Sequence, residues 1–424
     1  MNGLARDVFT YRDGVLHAED ANLAQLAGCL GTPTYVYSRR AILGGLQRYQ
    51  QALAGRNALV CYAMKANSNL GVLQLLARAG SGFDIVSGGE LARALAAGGA
   101  PERIVFSGVG KTAGEMREAL AAGIGCFNVE SAAELDALDG IARSMGMRAP
   151  VSLRINPDVD PGTHPYISTG LRSNKFGVAA GEAEALYGRA AKLAGVEIVG
   201  IDCHIGSQIT AIEPYIEAAE RLFDLVDRLA TKGVRIRHVD FGGGLGIGYR
   251  AGEAVPEIED WVARLLACAD RRGHGDKKLI FEPGRSIVGG AGVLLTRVQY
   301  LKEGAEKSFA IVDAAMNDLL RPALYDAWMD IVAVQVREGA ARAYDIVGPV
   351  CESADWLGKD RRLHLQAGDL LAVRCAGAYG MSMASNYNTR ARAAEVIVDG
   401  ARAFVVRERE TVEELLAGES MLPD

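Results

Sequence analysis

Apolar and polar residues alternate along this chain with two different periods, and the change from one to the other divides it. Over the first forty residues the period is two. Pro33-Thr34-Tyr35-Val36-Tyr37 alternates as a strand does, and Tyr11-Arg12-Asp13-Gly14-Val15-Leu16 carries the Asp-Gly signal of a tight hairpin. The whole stretch is expected to be β-like. From Ser38 the apolar positions recur every three or four residues, and the segment to about residue 55 reads as an amphipathic helix.

Short apolar runs then take turns with helical ones. Strands are expected near 58–64, 83–87, 103–107, 126–130, 151–155, 197–204, 237–241 and 278–282. Helical patterns fill the gaps at 70–80, 89–99, 113–123, 131–146, 182–195, 213–233 and 258–272. With the leading helix that makes eight of each. Such alternation implies a parallel sheet, and eight repeats imply an α/β (β/α)8 TIM barrel. An open doubly wound sheet is the alternative. It would carry a GxGxxG turn after its first strand, where this chain has Lys65-Ala66-Asn67-Ser68-Asn69.

Beyond about 288 the helices thin out. Segments 293–301, 308–315, 330–336, 343–350, 370–379 and 394–408 are β-rich, with pairs split by turns such as Ala367-Gly368-Asp369 and Asp399-Gly400. Two domains are therefore expected: a barrel over 40–288, and a mainly antiparallel β-sandwich or β-barrel domain from 1–39 and 289–424. There is no low-complexity linker and no fixed-period repeat.

Charge and cysteine content narrow the partners. The 46 basic and 52 acidic residues give −6 with no basic run, so neither nucleic acid nor an anionic membrane is an expected partner. No apolar run is long enough to span a bilayer, and MNGLARDVFTYRDG lacks the apolar stretch of a signal peptide. Seven cysteines without a CxxC pair argue against a disulfide framework and a zinc site. A reducing cytoplasm is the expected location.

A barrel does its chemistry at the C-terminal ends of its strands. Lys65 follows the first. A partly desolvated amine there has a lowered pKa and attacks aldehydes; a strand-end lysine that only reaches toward water is the plainer alternative. Asp84 ends the second strand. Cys203-His204-Ile205-Gly206-Ser207 ends the sixth, Asp240-Phe241-Gly242-Gly243-Gly244 the seventh, and Glu282-Pro283-Gly284-Arg285 the eighth. The glycine run lets backbone N–H groups converge on an anion, where barrels often hold phosphate. Arg285 is suited to neutralising that anion or gripping a carboxylate. His204 offers a base, a metal ligand or a flat face; without a second ligand at metal spacing, no metal is expected. Glu282 beside a pyridine nitrogen would keep it protonated and make the ring an electron sink. Amine, phosphate cradle, imidazole and carboxylate together match pyridoxal 5′-phosphate. In the β-rich part, Arg321 and Tyr325 stand four apart, Cys351 precedes Glu352, and Tyr379 sits in a Gly-Ala-Tyr-Gly run.

Taken in order, these motifs resemble those of the fold type III, alanine-racemase-like pyridoxal phosphate decarboxylases, nearly end to end. YAMKANSN, FDIVSGGEL, CHIGSQ, GGGLGI and EPGR match the wider group, which includes ornithine and arginine decarboxylases. RINPDVDPGTHPYISTG, SNKFG, MNDLLRPALY and GPVCESAD resemble its diaminopimelate decarboxylase branch more particularly. The resemblance implies that Lys65 is the Schiff-base lysine and that His204 stacks on the cofactor ring. Ser207 and Gly244 would contact the phosphate, Glu282 the pyridine nitrogen, and Asp84, Gly243, Gly284, Arg285 and Tyr379 would complete the cofactor site. Arg285, Arg321, Tyr325, Glu352 and Tyr379 would hold the amino acid substrate. Cys351 would donate a proton from the other subunit of a homodimer, with active sites at the interface. The implied reaction turns meso-2,6-diaminoheptanedioate into L-lysine and CO2, the last step of lysine biosynthesis. Three alternatives stand beside it: a broad-specificity ornithine, arginine or lysine decarboxylase, a racemase of the same fold, and a non-catalytic relative. Glu282 argues against the racemase, where an arginine would face the nitrogen. Lys65, Cys351 and the glycine run together argue against the non-catalytic relative.

Overall fold

Eight short apolar strands close on themselves. They are Ala58–Ala63, Gly82–Ile85, Ile104–Phe106, Cys126–Val129, Ala149–Asn156, Val196–Asp202, His238–Asp240 and Lys278–Phe281. Each pairs in parallel with the next, and the last returns to the first through Leu279–Ala58 to Phe281–Val60. The protein is described from a computed structural model that covers residues 8–423 apart from 168, 172, 173 and 251. The first seven residues, and Ser168 and Ser173 of the two branch motifs, lie outside the described residues.

Helices Leu70–Arg78, Gly88–Ala96, Ala113–Ala122, Ala132–Ser144, Ala180–Ala190, Glu213–Thr231 and Ile258–Arg271 separate or follow the strands, with Arg39–Ala52 leading. The expected (β/α)8 barrel is therefore present. Its strands read as apolar runs because both faces are buried: Gly82–Ile85 and Cys126–Val129 are buried at every residue. Leu59, Cys61, Val105, Cys126, Val199 and Ile280 form one dry cluster. Cys61 and Cys126 serve there as small hydrophobes.

The helices begin where the strands end. Asn69, Ser87, Thr112 and Ser131 accept from the backbone N–H groups of Gly71, Glu90, Glu115 and Glu134. Each such cap is worth about 1 kcal/mol, and together they fix the loops at the catalytic rim. No described helix is long and apolar enough to cross a membrane.

The chain divides into two units, Gly45–Ile247 with Ala254–Ser286, and Met1–Gly44 with Gly248–Glu253 and Ile287–Asp424. The second is built on one sheet in the order Trp356–Leu363, Arg342–Val347, Phe309–Val312, Gly292–Lys302, Thr34–Ser38, Ala394–Asp399, Arg402–Arg407. Leu370–Val373 also pairs with Gly292–Lys302, and Ile331–Ala333 with Leu370–Val373. Six of these eight pairings are antiparallel; Phe309–Val312 with Arg342–Val347 and Thr34–Ser38 with Ala394–Asp399 are parallel. The Asp13-Gly14 hairpin forms between Phe9–Arg12 and Val15–Ala18, with φ of 49° and 76° at its two turn residues. Positive φ at both is the turn that matches the twist of the strands. Buried Glu19 ties three segments together, accepting from Ser38 Oγ at 2.6 Å, Arg40 N–H at 2.9 Å and Gly400 N–H at 2.7 Å.

Three details differ from the sequence expectation. Leu23–Leu30 is a helix, not strand: Asn22 caps it and Leu23 and Ala27 bury one face. Trp356–Leu363, WLGKDRRL, is a strand that its charges disguised. It lies at the end of the sheet, where charge is tolerated. Lys359 covers the Trp356 ring at 3.7 Å, and Arg361 turns inward over Trp328 at 3.2 Å. Ala367-Gly368-Asp369 does turn the chain, but it does not join a hydrogen-bonded pair. The strand before it pairs with Arg342–Val347 and the strand after it with Gly292–Lys302.

Candidate active site

Lys65 sits on a single 3-10 turn, Met64–Ala66, directly after the first barrel strand. Its Nζ forms a close ion pair with Oδ2 of Asp84 at the end of the second strand. The lysine side chain is 35% exposed and the aspartate is fully buried. A long amine that looks outward from a buried acid is both oriented and reachable. Asp84 Oδ1 has no partner among the described residues.

Beside it, on the strands that run round to the first, three acids converge. Asp202, Asp240 and Glu282, from the sixth, seventh and eighth strands, each place an oxygen within 4.8 Å of the others. Burial pushes Glu282 and Asp202 well above the usual carboxylate range, and their like-charged neighbours add to it. Asp240 is pushed up to about 7, chiefly by burial. Asn128 donates to Glu282 Oε1 at 3.4 Å and to Ser107 Oγ at 3.1 Å.

His204 follows the sixth strand. Its Nδ1 accepts from Gly243 N–H at 3.2 Å, which leaves the ring proton on Nε2. Burial, then repulsion from Arg154 and Lys65, lowers its pKa well below the ordinary imidazole value. A neutral flat ring results, unsuited to serve as an acid. The glycine turn beside it admits no side chains. A Cβ on Gly243 would lie 2.0 Å from Glu282 O, and one on Gly244, where φ is 95°, 2.0 Å from Gly206 O. Gly284 is as tightly held, 2.9 Å from Ala66 Cβ. Buried Arg285 donates to Ser207 Oγ at 3.0 Å. The barrel thus brings Lys65, Asp84, His204, Ser207, Gly243, Gly244, Glu282, Gly284 and Arg285 to one rim.

Several residues at this rim were not singled out from sequence. Glu130 accepts from Gly108 N–H at 3.0 Å, Gly177 N–H at 2.9 Å and Arg154 Nη1 at 3.0 Å. Arg154 also lies over the Phe176 ring at 4.9 Å and reaches the His204 carbonyl at 3.4 Å. One buried ion pair therefore positions the loop after the third strand, the Lys175-Phe176-Gly177 stretch and the histidine. The available signal was a polar residue inside an otherwise apolar strand, as with Asn128, Arg154 and Asp202.

The remaining expected residues belong to the β-rich unit. Arg321 is buried under two rings, 5.2 Å from the Tyr249 centroid and 5.6 Å from that of Tyr325. Cys351 and Glu352 are exposed. The thiol lies 3.6 Å from Asn388 Oδ1, and Glu352 accepts from the Tyr387 hydroxyl at 2.6 Å. Asp355 pins their loop, accepting from Met316 N–H at 2.6 Å and Val350 N–H at 2.7 Å. Tyr379 is half-buried with φ of 54°.

Residues 39–289 match the family described as pyridoxal-dependent decarboxylase, pyridoxal binding domain. The chain is 62% identical to a diaminopimelate decarboxylase of Pseudomonas aeruginosa, over 98% of this chain and 100% of that one. It is also similar to the crystal structure of diaminopimelate decarboxylase from M. jannaschii in complex with L-lysine, with a TM-score of 0.94, 39% identity and 99% of each chain covered. The crystal structure of the Helicobacter pylori diaminopimelate decarboxylase complexed with L-lysine is similar too, with a TM-score of 0.89 at 44% identity, over 93% of this chain and 98% of that one.

Proposed function

The chain belongs to the pyridoxal-dependent decarboxylase family, and from that premise we propose that it converts meso-2,6-diaminoheptanedioate to L-lysine and CO2. It is a pyridoxal phosphate-dependent carboxy-lyase of the alanine-racemase-like fold. The observation that carries this reading is Lys65 at the barrel mouth, oriented by Asp84 and facing an acid cluster that includes Glu282.

The donor set suits the cofactor. Lys65 provides the amine for an aldehyde. Glu282 provides the acid for a ring nitrogen, and Ser207, Gly243, Gly244, Gly284 and Arg285 provide hydroxyl, backbone and guanidinium donors for a phosphate. When bound, pyridoxal phosphate supplies an aromatic ring that takes up the electrons left as a bond to the α-carbon breaks. Asp84 keeps Lys65 pointed outward. His204, held neutral through Gly243, presents a flat face without adding charge. Arg321, Tyr325, Glu352 and Tyr379, together with Arg285, are assigned to the substrate's carboxylates and distal amine. Cys351 is assigned as the proton donor to the α-carbon, reached from the second copy in a homodimer; its exposure fits a thiol that serves across an interface. The barrel, 40–288, is assigned the cofactor, and residues 1–39 and 289–424 the substrate and dimer contacts. A cytoplasmic location fits an enzyme of amino acid synthesis whose seven cysteines are free. The test is a side-by-side assay of diaminopimelate, lysine, ornithine and arginine. A wide preference for the first is expected; equal rates would contradict it.

A further inference from the structure

The rim holds more acid than a single ring nitrogen requires. Asp202, Asp240 and Glu282 are 1%, 0% and 5% exposed. Asp240 Oδ1 accepts from Gly242 N–H at 2.9 Å. Its Oδ2, like Oδ1 of Asp202, meets no N–H or hydroxyl donor among the described residues, and the Asp240 carboxyl lies against that of Glu282. The charged groups around them are already committed. Lys65 is paired with Asp84, and Arg154 with Glu130, its Nε standing 4.0 Å from Asp202. Asn128 faces Glu282 from the fourth strand as a neutral donor, and Cys61 and Cys126 lie in the apolar cluster of the barrel. Two cations thus serve five acids.

Ionised carboxylates this close in a dry site repel strongly, so they do not all ionise at neutral pH. Nor does one carboxylate oxygen bond to another unless a proton lies between them. We propose that Asp240 is a positioning residue that holds a proton on Glu282 in the cofactor-free site, and that this same proton becomes the one on the cofactor's ring nitrogen. The Glu282 O–H bond breaks and a ring N–H bond forms. The electron pair remains on Glu282, which is left as the carboxylate facing a cationic ring; a cofactor that arrives with its ring unprotonated draws no proton from solvent, and one that arrives protonated releases one. Burial and the neighbouring acids hold Glu282 well above the carboxylate range, in agreement. The inference rests on the assignment of Glu282 to the ring nitrogen.

The test counts protons. Pyridoxal phosphate is added to apoprotein at roughly pH 8, above the value at which Asp240 titrates, in two buffers of different ionisation enthalpy. Calorimetry then gives the protons exchanged. Asp240→Asn removes the first of the like charges while burial, Asp84 and Asp202 remain, so Glu282 ionises more readily in the empty site and cofactor binding should take up more protons per site than in the wild type, up to one. Equal uptake would overturn the proposal. Infrared difference spectra of the wild type need no variant: the carboxylic acid stretch should lose the intensity of one group per site when the cofactor is added, even if buried Asp202 keeps its own, and no loss would overturn the proposal. So would a divalent cation retained by the apoprotein at the three acids. Failure of the wild type to bind pyridoxal phosphate is a different result, and would sink the functional reading instead.

Discussion

Lys65 is one of many lysines, and its place at the rim is what singles it out for the proposed bond to the cofactor's aldehyde. A buried acid orients it, and it stands at the end of a fully packed strand. Lys65→Ala should therefore abolish the visible absorbance that appears when pyridoxal phosphate is added; an unchanged spectrum would remove Lys65 from this role. Cys351→Ser should bind cofactor normally yet lose about 10²–10⁴-fold in kcat, the range for removing a positioned proton donor. A near-wild-type rate would make the thiol incidental. Asp240 makes a prediction about stability. Its folded value, about 7, lies above the ordinary carboxylate value of about 3.9, so the apoprotein binds this proton more tightly than the unfolded chain does. The associated stability is fully present below about pH 4 and is lost as pH rises through about 7. Asp240→Asn should thus gain on the wild type as pH rises between those limits. Urea midpoints across that range would show it, and a constant difference would contradict it. At this scale the sequence marked residues just beyond strand ends, such as Lys65, His204 and Arg285. It left Arg154 and Asp202 unmarked, because a polar residue within an apolar run does not show which way it faces, and it missed Glu130, whose place just beyond the fourth strand only the structure sets apart from that strand.

At the scale of elements, the barrel was legible because each strand and helix buries its apolar positions with a clean period. Elsewhere local signals competed. Leu23–Leu30 follows a convincing hairpin and was absorbed into it, although Asn22 is a standard cap. Trp356–Leu363 carries four charges, and only its place at the sheet edge explains them. Among the contacts that hold the loops at the rim, Glu130 carries three. Glu130→Ala would strand Arg154 and two glycine N–H groups. A loss of about 3–5 kcal/mol is expected for breaking a buried pair, read by urea unfolding of the apoprotein. A change below about 0.5 kcal/mol, typical of surface sites, would mean the loops are anchored elsewhere.

For the whole molecule, specificity is the property to explain. In the proposed site, buried Arg321 would be left unmatched by a substrate without a second amino acid end. Sites of that kind reject such analogues by about 10⁴–10⁵-fold. The barrel's order of strands was readable from the alternation alone. The pairing order of the β-rich sheet was not, since Thr34–Ser38 pairs with strands some 260 and 360 residues away in sequence, a distance over which local pattern carries no information.

The most direct measurement is the carbon dioxide released from meso-diaminopimelate by the purified protein, with and without pyridoxal phosphate, beside Lys65→Ala. The account predicts one lysine formed for each carbon dioxide, only with cofactor and only in the protein that keeps Lys65. Release that ignores the cofactor, or that survives the loss of Lys65, would contradict it.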